Sequence, residues 1–342
     1  MSAIDLPAAI DAVINQQDLA PSFMRSVMRI IMKGEATQAQ IGAFLVGLRM
    51  KGETVSEIAA AADVMRELAA GVELSDLPHM VDIVGTGGDS SSSFNISTTS
   101  MFVAAAAGCH VAKHGNRAVS SRSGSADVLE AAGIKLDLNP EQVKQCVEEI
   151  GVGFMFAPMH HSAMKHAIGP RKELGVRTVF NLLGPLTNPA SAPNQVLGVY
   201  SEQWVVPLAE VLKKLGSKHV MVVHSDDGMD EISISASTKV AELKAGEIHE
   251  YSIEPEQFGL KKASSSDISV SNVDESLALM RSVLANQQGA ALDIVLLNAG
   301  AAIYVAGIVD DLLFGVECAR QIIASGEASQ KLAELVELTN KI

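Results

Sequence analysis

VDIVGTGGD at 81–89, FNISTTSMFVAAAAG at 94–108 and HVAKHGN at 110–116 form the stretch that decides the fold. VDIV is a short buried strand, and GTGGD after it is a turn, because three glycines in four positions permit positive φ. Met101, Phe102, Ala105 and Ala106 then recur at helical spacing, and HVAK reads as a second strand leading into the polar loop HGNRAVSSRSGS. Strand, loop, helix and strand at this pace predict an α/β domain with a mainly parallel central sheet. In such a sheet the loops after the strands share its carboxyl edge, where ligands bind.

Upstream of Val81 the chain reads as helix after helix. Thr37 with Gln40 and Thr54 with Glu57 have capping-box spacing, and Ile41, Phe44 and Leu45 repeat at i, i+3, i+4. This predicts a small helical domain. Downstream, Asn139-Pro140 opens another helix, VGFMFA at 152–157 is a third strand, and 158–183 is helical again. QVLGVY and KHVMVVH are further strands, KVAEL and IHEYSI a small antiparallel excursion, and the last seventy residues helical.

Composition limits the partners. The 342 residues suggest about two domains. A 48% hydrophobic share excludes a disordered chain, and 4% aromatics predict aliphatic, Ala-rich cores. The net charge of −14 argues against nucleic acid or an anionic membrane as partner, but a local cationic pocket still suits an anionic small molecule. Cys109, Cys146 and Cys318 form no C-x-x-C pair, and the N-terminus lacks the pattern of a signal peptide. The apolar window 290–309 contains Asp293 and Asn298, so a buried core helix is expected there and not a membrane span. A cytoplasmic, reduced protein is expected.

Four clusters carry chemistry. Gly85, Gly87 and Gly88 can present backbone N–H groups to an anion, but the loop is neither a Walker loop nor a dinucleotide fingerprint. From Ser90 to Thr99, eight of ten residues are polar, more than a helix cap needs, so the helix start is a candidate phosphate site. Lys113, Arg117 and Arg122 gather beside Ser120 and Ser121 in a chain poor in cations. Arg171 and Arg177 are alternatives for a carboxylate ligand. Finally, Asp226, Asp227, Asp230 and Glu231 surround Gly228, an oxygen-rich loop suited to Mg2+ shared with phosphates. His160, His161 and His166 lack a metal-motif spacing and an evident carboxylate co-ligand, and read as packing residues or as residues that support a site from behind.

Taken together, GTGGD (85–89), FNIST (94–98), KHGNRAVSS (113–121), GSADVLEAAG (124–133), HSAMKHAIGPRKELGVRTVFNLLGPLTNP (161–189) and DGMDE (227–231) resemble the anthranilate phosphoribosyltransferase family over most of the chain and in the family's order. The departures are Ser93, Ser162 and Ala132, where the family often has Thr, Pro and Leu, and none removes a charge.

The resemblance implies a nucleoside-phosphorylase-like phosphoribosyltransferase fold. A helical domain (1–72 with about 160–190) would stand beside an α/β domain (73–159 with about 191–342). It implies a Mg2+-dependent pentosyltransferase of tryptophan biosynthesis that joins the amine of anthranilate to the 5-phosphoribosyl group and releases diphosphate. Gly85, Gly88, Asp89, Ser93, Asn95, Ile96, Ser97 and Thr98 would line the phosphoribosyl diphosphate site. Lys113, His114, Gly115, Asn116, Arg117, Ala118, Val119, Ser120, Ser121 and Ser125 would face them. Ser97, Asp230 and Glu231 would hold two Mg2+ ions per monomer, and Gly85, Asn116 and Arg171 would contact anthranilate. Lys113, Arg117, Asp230 and Glu231 would be catalytic, and the helical part would form a homodimer. Competing classes are a pyrimidine nucleoside phosphorylase, which has no need of the Asp230–Glu231 pair, a nucleic-acid-binding relative, which the charge opposes, and an acidic scaffold, which leaves the motifs unexplained.

Overall fold

The computed structural model describes residues 5–89, 91–118 and 122–342. Helices α1 (Leu6–Ile14), α2 (Pro21–Met32), α3 (Gln38–Lys51) and α4 (Val55–Glu67) open the described chain. Both capping boxes form, with Thr37 and Gln40 starting α3 and Thr54 and Glu57 starting α4. Glu57 does more than cap. Its buried carboxylate also accepts from Leu19 N at 2.8 Å and Lys51 Nζ at 2.9 Å, tying the loop before α2 and the end of α3 to the start of α4.

The alternating part follows as β1 (Met80–Gly85), α5 (Ile96–Ala106), β2 (His110–Gly115), α6 (Ser125–Ala131), α7 (Pro140–Ile150) and β3 (Val152–Phe156). Helices α8 (Ala157–His160), α9 (Lys165–Leu174) and α10 (Phe180–Leu186) interrupt it before β4 (Asn194–Gly198), α11 (Val205–Lys214) and β5 (His219–Ser225). The hairpin β6 (Thr238–Lys244) and β7 (Glu247–Ile253) precedes α12 (Val273–Leu284), α13 (Ala290–Val305), α14 (Leu312–Ser325) and α15 (Glu327–Lys341). Among the described residues, the strands form one sheet in the order β3-β2-β1-β4-β5-β6-β7. β3 through β5 are parallel, and β6 and β7 add antiparallel at the edge. The expected antiparallel excursion therefore extends the main sheet.

The chain runs outward from β1 through β2 to β3, then returns to place β4 on the other side of β1. The carboxyl ends of β1 and β4 thus mark the switch point, where a crevice opens outside an α/β sheet. Strand alternation divides the apolar residues between two cores. Val196, Met221, Val223 and Val240 face a core shared with α5 and α13. Leu197, Val199, Val220, Val222 and Ala241 face one that continues into α1–α4 and α10. The helical region therefore packs on one face of the sheet. The 290–309 window supplies α13, buried along nearly its whole length. No helix among the described residues is long and apolar enough to cross a membrane.

Candidate active site

The acidic loop after β5 docks onto the glycine loop after β1. Gly87 N donates to Asp230 Oδ2 at 2.7 Å. A Cβ on Gly85 would lie 2.5 Å from the same oxygen, and one on Gly198 would overlap the Asp230 carbonyl. The strand ends at the switch point are glycine because the acidic loop passes directly over them. Gly87 and Gly88 have φ of +68° and +76°, where L side chains are strained. From the other side, Asn298 in the middle of α13 clamps the backbone next to Glu231. Its Oδ1 accepts from Ile232 N at 3.0 Å and its Nδ2 donates to Ile232 O at 2.9 Å. Asp227 is occupied within its own turn, accepting from the hydroxyls of Ser233 and Ser235. The acidic pair that remains is Asp230 and Glu231.

Burial pushes both carboxyls up from the usual carboxylate range; Asp89 adds to the effect on Asp230, and Asp230 with Asp89 adds to that on Glu231. Glu231 Oε1 accepts from Ser97 N, at the start of α5, at 3.3 Å. Among the described residues no group of three or more His, Cys, Asp and Glu forms a metal cage. Hard oxygens held at the cost of mutual repulsion fit a divalent cation that takes its remaining ligands from water or a bound phosphate.

Lys113 differs from its sequence reading. The sequence reads it as the end of the HVAK strand and as one of a cluster of loop cations. The strand forms and runs on to Gly115, pairing Lys113, His114 and Gly115 with Phe154, Met155 and Phe156 of β3, but the cation is buried and not part of an open loop. Its side chain is 2% exposed. The ammonium donates to Ile83 O and, at 3.2 Å, to Ser97 Oγ, and it faces the charges of Asp82, Glu231 and Asp230. Burial lowers its pKa, and these three acids oppose that. A strand position suits it because the acids, not solvent, satisfy the charge. Asp82, which sequence reasoning misses as part of a strand, is pushed up to about 6 by burial, against the pull of Lys113 and a 2.7 Å hydrogen bond from Asn188 Nδ2. The signal for it is a carboxylate in the middle of VDIV.

Arg117 also differs from a free loop cation. It pairs with Asp127 at 3.1 Å and Glu130 at 2.7 Å, carboxylates of α6 that the sequence reading does not single out as its partners. Asp127 in turn accepts from Ala118 N and Gly124 N, tying both residues to the start of α6. Gly115 leaves room for Ser125, whose Oγ donates to Asn116 O at 3.2 Å. Asn116 is exposed, whereas His114 is buried with its ring centroid 5.0 Å from that of His161. Val119, Ser120 and Ser121 lie outside the described residues.

At the hydroxyl cluster, Asn95 acts as a tie. Its Oδ1 accepts from Ser123 Oγ and Ser276 Oγ, both at 2.7 Å, and its Nδ2 donates to Ser123 O. Ser93 bridges to Ser269, Asp89 Oδ1 accepts from Ser91 N, and Ile96 and Thr98 are buried. Arg171, in α9, is half-buried with its guanidinium 5.2 Å from the Phe180 ring centre. The arginine that touches the glycine loop is Arg177, which donates to Gly88 O.

This arrangement has known counterparts. Residues 7–69 match the helical bundle domain of a glycosyl transferase family, and residues 77–329 match its a/b domain. The chain is 62% identical over 336 residues to the anthranilate phosphoribosyltransferase of Thioalkalivibrio sulfidiphilus, covering 98% of this chain and 99% of that one. It is 59% identical over 339 residues to that of Alkalilimnicola ehrlichii, covering 99% and 100%. The crystal structure of anthranilate phosphoribosyltransferase from Thermus thermophilus superposes with a TM-score of 0.92 at 45% identity, covering 97% of this chain and 99% of that one. The Saccharomyces cerevisiae enzyme in complex with phosphoribosyl diphosphate and Mg gives 0.90 at 26% identity, covering 100% and 99%.

Proposed function

The chain belongs to the anthranilate phosphoribosyltransferase family, and from that premise we propose that its phosphoribosyl diphosphate site lies where Gly85–Asp89 meets Asp230 and Glu231. The enzyme transfers the 5-phosphoribosyl group of 5-phospho-α-D-ribose 1-diphosphate to the anthranilate amine. The products are N-(5-phosphoribosyl)anthranilate and diphosphate, in the second step of tryptophan biosynthesis from chorismate. The observation that carries the site is the docking of the acidic loop on the glycine loop at the sheet's switch point.

The chemistry forms a C–N bond at ribose C1 as the C1–O bond to diphosphate breaks. The aniline nitrogen is already nucleophilic, so much of the barrier is positional. Gly85, Gly88, Asp89, Ser93, Asn95, Ile96, Ser97 and Thr98 hold the phosphoribosyl part. Asp230, Glu231 and Ser97 would hold two Mg2+ ions; the yeast relative is seen with Mg and phosphoribosyl diphosphate. Bound there, Mg2+ offsets the negative charge that grows on the departing diphosphate. Lys113, beneath Ser97 and facing both carboxylates, favours their ionised forms. Its contribution to leaving-group departure is electrostatic and operates through this cluster. Arg117 reaches the diphosphate only by leaving Asp127 and Glu130. Gly115, Asn116, Ala118 and Ser125 form the facing wall, and Asn116, Gly85 and Arg171 contact anthranilate.

The same proposal divides the chain into a helical domain (1–72 with about 160–190) and an α/β domain. It makes the protein a cytoplasmic homodimer through the helical part, where Ile14 of α1, Met50 of α3 and Ile168 of α9 leave apolar surface exposed. Incubation with anthranilate, phosphoribosyl diphosphate and Mg2+ tests the activity. Anthranilate fluorescence should fall in step with diphosphate release, and diphosphate released without loss of anthranilate would overturn the assignment.

A further inference from the structure

Arg171 and Arg177 are equivalent candidates for a carboxylate in the sequence, but the structure gives Arg177 different surroundings. Its guanidinium donates to the carbonyl of Gly88 and lies 4.0 Å from the centre of the Tyr200 ring. A Cβ on Gly88 would approach Arg177 Nη2 to 3.2 Å, so the glycine is also the residue that lets the arginine close in. Tyr200 completes a circuit. Its N–H donates to Thr86 Oγ1 at 3.0 Å, and Thr86 N donates to Gly198 O at 2.9 Å. The backbone of Arg177 is held in turn, because Arg49 at the end of α3 donates to its carbonyl. Thr86 and Gly88 are thus fixed by contacts independent of Asp230, and the fixing runs back to the helical region.

We propose that Arg177 is a positioning residue for phosphoribosyl diphosphate: stacked on Tyr200 and anchored by Arg49, it holds the 85–89 loop in the shape that receives the diphosphate. The proposal deepens the site reading above and rests on it. A planar guanidinium serves both tasks at once, stacking on an aromatic face while donating in its own plane. Arg177, Arg49, Tyr200 and Trp204 also border an open cavity of about 500 Å³, so shortening the side chain removes the clamp without emptying a packed core.

The test compares Arg177→Ala and Arg177→Lys with the native enzyme, by initial-rate kinetics in each substrate and by hydrogen exchange at Thr86 and Gly87. Loss of a charge-assisted contact to the loop should raise the KM for phosphoribosyl diphosphate about tenfold. The anthranilate KM should stay within about twofold, and the two amides should exchange faster. Arg177→Lys keeps a donor and should recover part of the KM and less of the exchange protection. A selective rise in the anthranilate KM would make Arg177 a carboxylate ligand and overturn the proposal. An equal rise in both constants, or unchanged exchange at Thr86 and Gly87, would overturn it as well. If the native enzyme turns over neither substrate, the site reading fails, and the exchange data alone still decide whether Arg177 holds the loop.

Discussion

Gly198 carries no side chain because the Asp230 carbonyl occupies the space a Cβ would need. Gly198→Ala must push the acidic loop off the strand end, an overpacking that costs about 1–3 kcal/mol. Turnover should fall more than tenfold, and a crystal structure of the variant should show Asp230 displaced. Native activity would mean that the docked loop is not the catalytic arrangement. Arg171→Ala should raise the anthranilate KM roughly 10- to 150-fold with little change in that for phosphoribosyl diphosphate, measured by steady-state kinetics. Asp230, Glu231 and Ser97 are legible as oxygen donors at this scale, because hydroxyls and carboxylates in excess of local need stand out in a linear chain. Lys113 is legible as important but not as buried. Its partners Asp82 and Glu231 come from two other parts of the chain, and only the register of β1 and β2 and the return of the chain through β5 bring them together.

Elements whose signals are local come through the sequence well. The capping boxes of α3 and α4 form as spaced, Asn139 opens α7 with Gln142 completing its cap, and the Asp- and Asn-containing apolar window becomes α13. Asn298 shows why periodicity misses function: inside a core helix it reads as a tolerated polar residue, while its amide holds Ile232 next to Glu231. Where the end of β2 meets the residue after α8, the rings of His114 and His161 pack against each other at a tilt, and burial lowers them to about 3 and about 4, with the neighbouring histidines adding to the shift. In the unfolded chain each protonates near the ordinary 6.5. Their contribution to stability is therefore complete above about pH 6.5 and is lost as the pH falls towards 4, because the unfolded state binds more protons there. Asp82, raised by burial, acts in the opposite sense, so the His161 contribution must be read as a difference between proteins. In urea melts, the stability of native protein minus that of His161→Gln should shrink from pH 7 to pH 4.5. A constant difference would show that His161 is not held neutral.

At the scale of the molecule, alternation along β4, β5 and β6 sends one set of aliphatic residues to each sheet face, and the helical region completes one of the two cores. The sequence announces the helices and strands but not this sharing, because the contacts join residues far apart in the chain. Ile14, Met50 and Ile168 remain outside both cores. Sedimentation at micromolar concentration should give twice the chain mass, and Met50→Glu should shift it towards the monomer; a native monomer would contradict the dimer. Glycine loop, α5 start, buried Lys113 and docked carboxylates converge on one proposition, that the fold assembles an acidic pair to receive metal-bound phosphoribosyl diphosphate. Calorimetric titration of phosphoribosyl diphosphate with and without Mg2+, into the native protein and Glu231→Gln, addresses it most directly. Mg2+ should tighten binding to the native protein at least tenfold and have little effect in the variant, which has lost one charged ligand. An equal Mg2+ effect in both proteins would contradict the assignment of Glu231 to the metal.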